Sequence, residues 1–390
     1  MEVARRLVVL AAVTWMVCLG NANAVQVSDN LDLGGAIRVR VDEDGSRDIH
    51  EIGFDTLMLS AKYDSDSWEG AARYRFYGNH YPFQYMEQFG NLQFMEYAWI
   101  GYKFDPERQV QVGLNKVPFG LQPLYSDTFY ETLGNVLGLE DLWELGAKYV
   151  QTGERWNFQG GYYARPAPSG HGSSNGTTYS IVPTPADSYV DGGSRNVERD
   201  MVMARLARTT TLGAWEGEVG ASALVSKLYN RDTGDNGHRI AYALHYSGAN
   251  GPWSTELQYT RIQMSPRNPL DNSTVTYGGY DGTFNIASRG NLYIGSLSYA
   301  WPGSFLGGWF SGVKTYATYN YYEKSQRSFN DSQRFILGTS FSVKKLWIAV
   351  EWLNGRNDPY FGGSSYTQSL AAGGTNRWTG QFYMNIGYYF

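Results

Sequence analysis

From Leu31 to the last residue, apolar and polar side chains alternate with a period of two, segment after segment. Trp156, Phe158, Gly160, Tyr162 and Ala164 alternate with Asn157, Gln159, Gly161, Tyr163 and Arg165, and Ile240, Tyr242, Leu244 and Tyr246 with Arg239, Ala241, Ala243 and His245. Successive side chains of a strand point to opposite faces, so each segment reads as a strand with one apolar and one polar face. Composition narrows the choice further. Charged residues make up 18% and aromatics 16%, against roughly 25% charged in an average soluble domain, which argues against an ordinary soluble enzyme core. The mean hydropathy of -0.41 excludes a helical membrane bundle, which needs repeated apolar stretches of about 20 residues.

Sixteen such segments are legible, near 31–41, 52–63, 68–77, 92–104, 109–117, 142–151, 155–165, 198–208, 214–229, 237–247, 253–263, 291–300, 309–323, 332–343, 346–354 and 377–390. The connectors 63–68, 105–108, 152–154 and 343–346 are short, whereas 118–141, 166–197, 264–290 and 355–376 are long. Strict alternation of short and long connectors predicts an all-β, 16-stranded, antiparallel transmembrane barrel with its long loops outside, a polar lumen and both termini on the periplasmic side. A soluble β-sandwich is the competing architecture, but it gives no reason for aromatics at strand ends, where membrane interfaces favour them. The length of 390 residues would suit two domains, yet barrels of this size form one unit.

Residues 1–24 read as an export leader: Arg5 and Arg6, an apolar run from Leu7 to Gly20, then Ala22-Asn23-Ala24 as a cleavage site. The barrel domain then spans 25–390. Cys18, the single cysteine, lies in that leader and follows Val17, where a lipoprotein site would carry a small residue. No disulfide or thiolate chemistry is expected of the mature chain.

The last segment puts Trp378, Gly380, Phe382, Met384, Ile386, Tyr388 and Phe390 on one apolar face that ends on an aromatic. Phe390, Tyr388 and Ile386 form an assembly signal similar to that of outer-membrane proteins whose last strand is read by the barrel-assembly machinery. The stretch Val112-Gly113-Leu114-Asn115-Lys116-Val117-Pro118-Phe119-Gly120-Leu121, a strand running into a PFGL turn, resembles sixteen-stranded Gram-negative porins and, more loosely, the phosphate-selective porin O/P group. That resemblance implies a homotrimer, and a third outer loop at 118–141 that folds inward and narrows the channel. Phosphate-selective members collect the anion with lysines at the constriction, whereas this loop has no Lys or Arg after Lys116.

The loop carries Asp127, Glu131, Glu140 and Asp141 with Tyr125, Phe129 and Tyr130. Arg38 and Arg40 share one face against Ile37, Val39 and Val41, and Arg73 and Arg75 share one against Ala72, Tyr74 and Phe76. An arginine facing lipid costs about 2–4 kcal/mol at mid-bilayer, so these four are expected to line the pore. The same alternation points Lys62, Lys148, Arg165, Arg205, Arg239, Lys314 and Arg334 inward, along with Glu144, Glu216, Glu218, Glu256 and Glu351; for Glu96 it gives no answer. Arginines across from an acidic loop would set up a transverse field that admits polar solutes. The alternative for each is to pair with a neighbouring carboxylate and hold the wall.

Three functions compete. One is a passive outer-membrane porin for small hydrophilic solutes with a weak anion preference, and another a substrate-specific channel for small anions such as carboxylates or phosphate. The third, an outer-membrane enzyme, has little support: His50, His80, His171, His238 and His245 are scattered, with no HExxH or GxSxG. No metal or cofactor motif is present, and a formal charge of -5 does not suit nucleic acid. The expected partners are outer-membrane lipid and lipopolysaccharide, further copies of the chain, and the barrel-assembly machinery.

Overall fold

The computed structural model describes residues 24–80, 82–184, 189–361 and 365–390; the leader expected at 1–24 lies outside them but for its last residue. The strands are β1 (Leu31–Asp44), β2 (Ile49–Asp64), β3 (Trp68–Tyr77), β4 (Gln93–Asp105), β5 (Arg108–Lys116), β6 (Trp143–Thr152), β7 (Trp156–Pro166) and β8 (Asn196–Leu212). They continue as β9 (Trp215–Asn230), β10 (Asn236–Asn250), β11 (Trp253–Ser265), β12 (Arg289–Ala300), β13 (Phe310–Lys324), β14 (Ser332–Val343), β15 (Leu346–Arg356) and β16 (Trp378–Tyr389). Each pairs antiparallel with the next, and β16 pairs back onto β1 from Ala36↔Tyr389 to Glu43↔Phe382. Closure satisfies the backbone groups that an open edge would leave unpaired. At the seam the Gly35 amide donates to the Phe390 carbonyl at 2.7 Å and the Phe390 amide to the Gly35 carbonyl at 3.0 Å. Beyond Phe390, the short strand Val25–Ser28 takes over the edge of β1, Val25 pairing with Leu33.

The apolar alternate faces outward: Leu59, Ile100, Val112, Phe158, Leu206, Leu244, Leu257, Leu297 and Leu337 are all exposed. At the end that holds the termini, two-residue turns at 213–214, 251–252 and 344–345 use positive φ at Gly213, Gly251 and Lys344, which tight hairpins require. The expected strict alternation of connector length fails in both directions. Connectors 45–48, 231–235 and 325–331 at the other end are short, and 301–309 at the terminal end is long. A hairpin's length follows its local turn chemistry, and neither side of a barrel forbids a tight turn.

The lumen is not polar throughout. On the inner faces of β8 to β12, Met201, Met203, Leu224, Leu228, Ile262, Met264 and Leu292 pack against Leu133, Val136 and Leu137 of the 117–142 connector and against Tyr277, Phe284, Ile286 and Leu370. Tyr277 and Phe284 face each other across a hairpin of Thr274–Gly279 and Gly282–Ala287, onto which Val182–Pro183 adds. Parts of connectors 117–142, 167–195, 266–288 and 357–377 thus build an apolar core inside one side of the barrel, interleaved with buried polar side chains such as Arg205, Arg239 and Gln258.

Candidate functional site

Two β-bulges build the arginine wall. On β2, Arg38 pairs with Thr56 and Val39 with Phe54, which leaves Asp55 as the extra residue. On β4, Arg73 pairs with Tyr97 and Tyr74 with Met95, which leaves Glu96. Alternation with Thr56 and Met58 would send Asp55 to the lipid face and gives no answer for Glu96; the bulges leave both carboxylates facing inward. Arg38 Nε then stands 2.9 Å from Asp55, and Arg38 Nη2 donates to Thr56 Oγ1 at 3.2 Å. Glu96 receives Arg73 at 3.3 Å and Arg75 on its other oxygen. Arg40 binds Asp42 through both Nε and Nη2, each at 2.6 Å. Every one of the four also lies over an aromatic ring: Arg38 over Phe129 at 5.4 Å, Arg40 over Tyr383 at 5.0 Å, Arg73 over Tyr97 at 5.1 Å and Arg75 over Tyr179 at 4.7 Å. Four guanidiniums therefore meet three carboxylates, Asp42, Asp55 and Glu96. Arg73 is the most open, its side chain 34% exposed against 11–12% for the other three.

The 117–142 connector carries the helix α1 (Leu133–Val136), N-capped by Thr132, whose Oγ1 accepts from the Gly134 amide. Polar side chains of β8–β11 and β13–β15 bind its backbone. Ser222 of β9 and Gln258 of β11 accept the amides of Gly120 and Leu121 at 3.0 and 2.8 Å, while Arg205 of β8 donates to the Gly120 carbonyl at 2.8 Å. Glu351 of β15 accepts the amides of Phe129 and Tyr130 at 2.6 and 2.9 Å, and Asn320 of β13 accepts that of Leu133 at 3.0 Å. Arg334 of β14 donates to the Glu131 and Thr132 carbonyls at 2.5 and 3.1 Å, and Arg239 of β10 to the Gly138 carbonyl at 2.6 Å.

The acidic residues of the connector occupy different settings. Asp127 pairs with Lys314 at 2.8 Å and accepts from Ser254 and Ser298. Glu140 turns into the connector, accepting the Tyr125 amide at 2.7 Å, the Thr132 amide at 3.0 Å and Thr132 Oγ1 at 2.5 Å. Asp141 closes the base, with Lys116 at 3.1 Å, Tyr179 Oη at 2.7 Å and Trp143 Nε1 at 3.0 Å. Tyr125 is buried, its hydroxyl shared between the Phe119 and Leu139 carbonyls; Tyr130 lies edge-on to Phe361 and Tyr383. Burial pushes the Glu131 carboxyl well above the usual range, and the neighbouring Asp141 and Glu140 push it further. Burial also raises Glu140, against the donors from Thr132 and Tyr125. At Asp141 burial is outweighed by Lys116, Tyr179 and Arg75, so that carboxyl sits below the usual range.

The remaining sequence-selected residues are dispersed. Lys62 is exposed at the end of β2 beside turn 65–67, 3.9 Å from Asp64. Lys148 is buried and donates to the Lys116 carbonyl at 3.0 Å. Arg205 is buried between the Gly120 carbonyl, Glu218 and His245. Arg165 is a correction to the alternation: a bulge at Ala164, where Leu145 pairs with Arg165 and Gly146 with Tyr163, carries it to the outer, exposed face. Ile386 and Tyr388 pair across with Val39 and Ile37 on the outward face. The alternation missed Asp55 and Glu96, which bulges reorient, and Glu198, which holds Arg239 at 3.0 Å. Among the described residues no three His, Cys, Asp or Glu side chains gather in a metal-binding arrangement.

No family model matches the chain, and no curated protein matches its sequence. Solved structures do match. The outer membrane channel DcaP of Acinetobacter baumannii superposes with a TM-score of 0.57 at 11% identity, over 95% of this chain and 99% of that one. The barrel shares its fold with solved outer-membrane channels. The trimer form of OmpT, an outer membrane protein of Vibrio cholerae, gives 0.55 at 14% identity over 92% and 99%. An anion-selective porin from Comamonas acidovorans gives 0.50 at 14% over the same shares. At these identities the likeness is one of fold.

Proposed function

We propose that the chain is a porin of a Gram-negative outer membrane, a water-filled channel for passive diffusion of small hydrophilic solutes with a weak preference for anions, and not an enzyme. One observation carries this reading: inside a closed barrel with an apolar outer belt, four inward arginines stand against three carboxylates. That wall keeps one net positive charge. The 117–142 connector serves as the inward-folded third outer loop, a role supported by its hydrogen bonds to side chains on β8–β11 and β13–β15. Arg38, Arg40, Arg73 and Arg75 line the open side, with Asp127 and Glu131 across from them. Residues 1–24 act as the export leader. The copies assemble as a homotrimer, a reading supported by the trimer form of the Vibrio neighbour.

A substrate-specific anion channel is the second reading. The aromatic ring beneath each arginine favours it, because a guanidinium stacked on a ring is pre-oriented to offer its fork to a carboxylate or phosphate. The looser resemblance to the phosphate-selective O/P group belongs with this reading.

Reversal potentials across planar bilayers in a salt gradient test both. The Debye length is about 8 Å at physiological salt, so charges within one narrow passage still act on a passing ion. Arg73→Gln with Arg75→Gln is expected to shift permeability toward cations, and Asp127→Asn with Glu131→Gln toward anions. If neither pair moves the reversal potential, the charges only hold the wall. Saturating conductance with one small anion and not with chloride would select the second reading.

A further inference from the structure

Seven connections join strands at the end that holds the termini, and all but one span two or three residues. The exception, 301–309, runs Trp301-Pro302-Gly303-Ser304-Phe305-Leu306-Gly307-Gly308-Trp309 and carries no charged side chain. It is an ordered small hairpin: Ser304 and Phe305 pair with Ser311 and Phe310, and the Gly308 amide donates to the Phe305 carbonyl at 3.2 Å. Its tip presents Leu306 at 76% exposure and Trp309 at 54%. Leu306 sits at φ +50°, a left-handed conformation that a side chain with a Cβ disfavours and a glycine adopts freely. The turn thus places a leucine, exposed, at a position where a glycine would cost less.

The surroundings indicate what covers it. Ring contacts run from Trp253 to Tyr299 at 4.7 Å and on to Trp301 at 5.0 Å, so the aromatic row of the outer face continues into the turn. Lys344 Nζ lies 4.1 Å from the Trp309 ring centroid, and Lys345 follows it. Turns 251–252, 301–309 and 344–345 contain no carboxylate, whereas turns 65–67, 106–107 and 153–155 hold Asp66, Glu107 and Glu154. This arc of the rim is apolar and basic; the opposite arc is acidic.

We infer that turn 301–309 is a lipid anchor, which inserts Phe305, Leu306 and Trp309 into the phospholipid leaflet on the terminal side while Lys344 and Lys345 meet the headgroup phosphates. Trp and Lys suit that depth because each presents an apolar body and a polar tip. The inference rests on the reading of the barrel as membrane-spanning.

The test places an environment-sensitive fluorophore at Leu306→Cys in the full chain carrying Cys18→Ser, reconstituted in vesicles of phosphatidylethanolamine and phosphatidylglycerol. Leu257→Cys, on the outward face of β11, is the control for insertion. The label at 306 is expected to emit blue-shifted and to be quenched severalfold more by lipids spin-labelled near the headgroup than by aqueous iodide. Phe305→Cys should give the same result, and Lys344→Glu with Lys345→Glu should return part of the emission toward that in water. A label at 306 and 305 quenched by iodide and not by lipid, with the 257 label in lipid, overturns the anchor and leaves the barrel reading standing. A 257 label in water as well overturns the membrane reading itself.

Discussion

Glu351 accepts two consecutive backbone amides and the Tyr316 hydroxyl, so one side chain fixes the tip of the connector where Phe129 and Tyr130 turn. A hydrogen bond to a charged group contributes about 1.5–3 kcal/mol, and leaving its buried partner unpaired costs a similar amount. Glu351→Ala is expected to free that tip and to give a larger, noisier single-channel conductance; an unchanged trace would mean that the tip is held elsewhere. Glu144 presents the reverse case. It is fully buried, and neither carboxyl oxygen has a hydrogen-bond partner among the described residues. Glu144→Met should stabilise the barrel by about 1–3 kcal/mol, read as a higher melting temperature, and a lower one would show that Glu144 has a partner. Such residues also mark how far the sequence could be read. Inward Glu351 was legible from alternation because parity is a local property of the backbone. Asp55, Glu96 and Arg165 were not, because a bulge depends on the register of a partner strand distant in sequence.

At the scale of elements, all sixteen strands were legible, since a wall between lipid and water imposes period two on each one. Their ends were less so: β1 runs to Asp44 and β10 to Asn250, where the hydrogen-bond ladder continues into polar residues beyond the apolar belt. The apolar core of connectors was not legible at all. Leu224, Val225 and Leu228 break the alternation on β9 because two of them face a hydrophobic plug instead of water. The connector itself should respond to pH through Glu131. Its carboxyl is raised by burial and by Asp141 and Glu140, so the folded chain holds that proton more tightly than the unfolded chain. The resulting stability is full below the usual glutamate range and is lost as pH rises through the raised value. Raising pH through that raised value is expected to add a negative charge to the passage and to shift reversal potentials toward cations, an effect that Glu131→Gln should remove. An identical shift in wild type and Glu131→Gln would assign the titration to another group.

At the scale of the molecule, everything depends on closing one seam. Phe390 exchanges both backbone hydrogen bonds with Gly35, and a Cβ built on Gly35 would lie 2.9 Å from the Phe390 ring and 2.3 Å from the Met58 carbonyl. If Phe390 also ends an assembly signal, as proposed from the sequence, the terminal aromatic has two separable tasks, one before folding and one as the seam's last pairing after it. Deleting Phe390 removes both and is expected to lower the amount of folded barrel in the outer membrane more than deleting an exposed residue of connector 231–235. Gly35→Val leaves the last strand's sequence intact and disturbs the seam and the adjoining β1–β2 pairing. Its barrel should reach the membrane at near wild-type levels but unfold at lower temperature, seen as an earlier loss of the heat-modifiable band on gels. If Gly35→Val and the Phe390 deletion lower membrane levels equally, the aromatic acts only through packing; if the deletion leaves levels unchanged, the last strand is not read through its terminal residue.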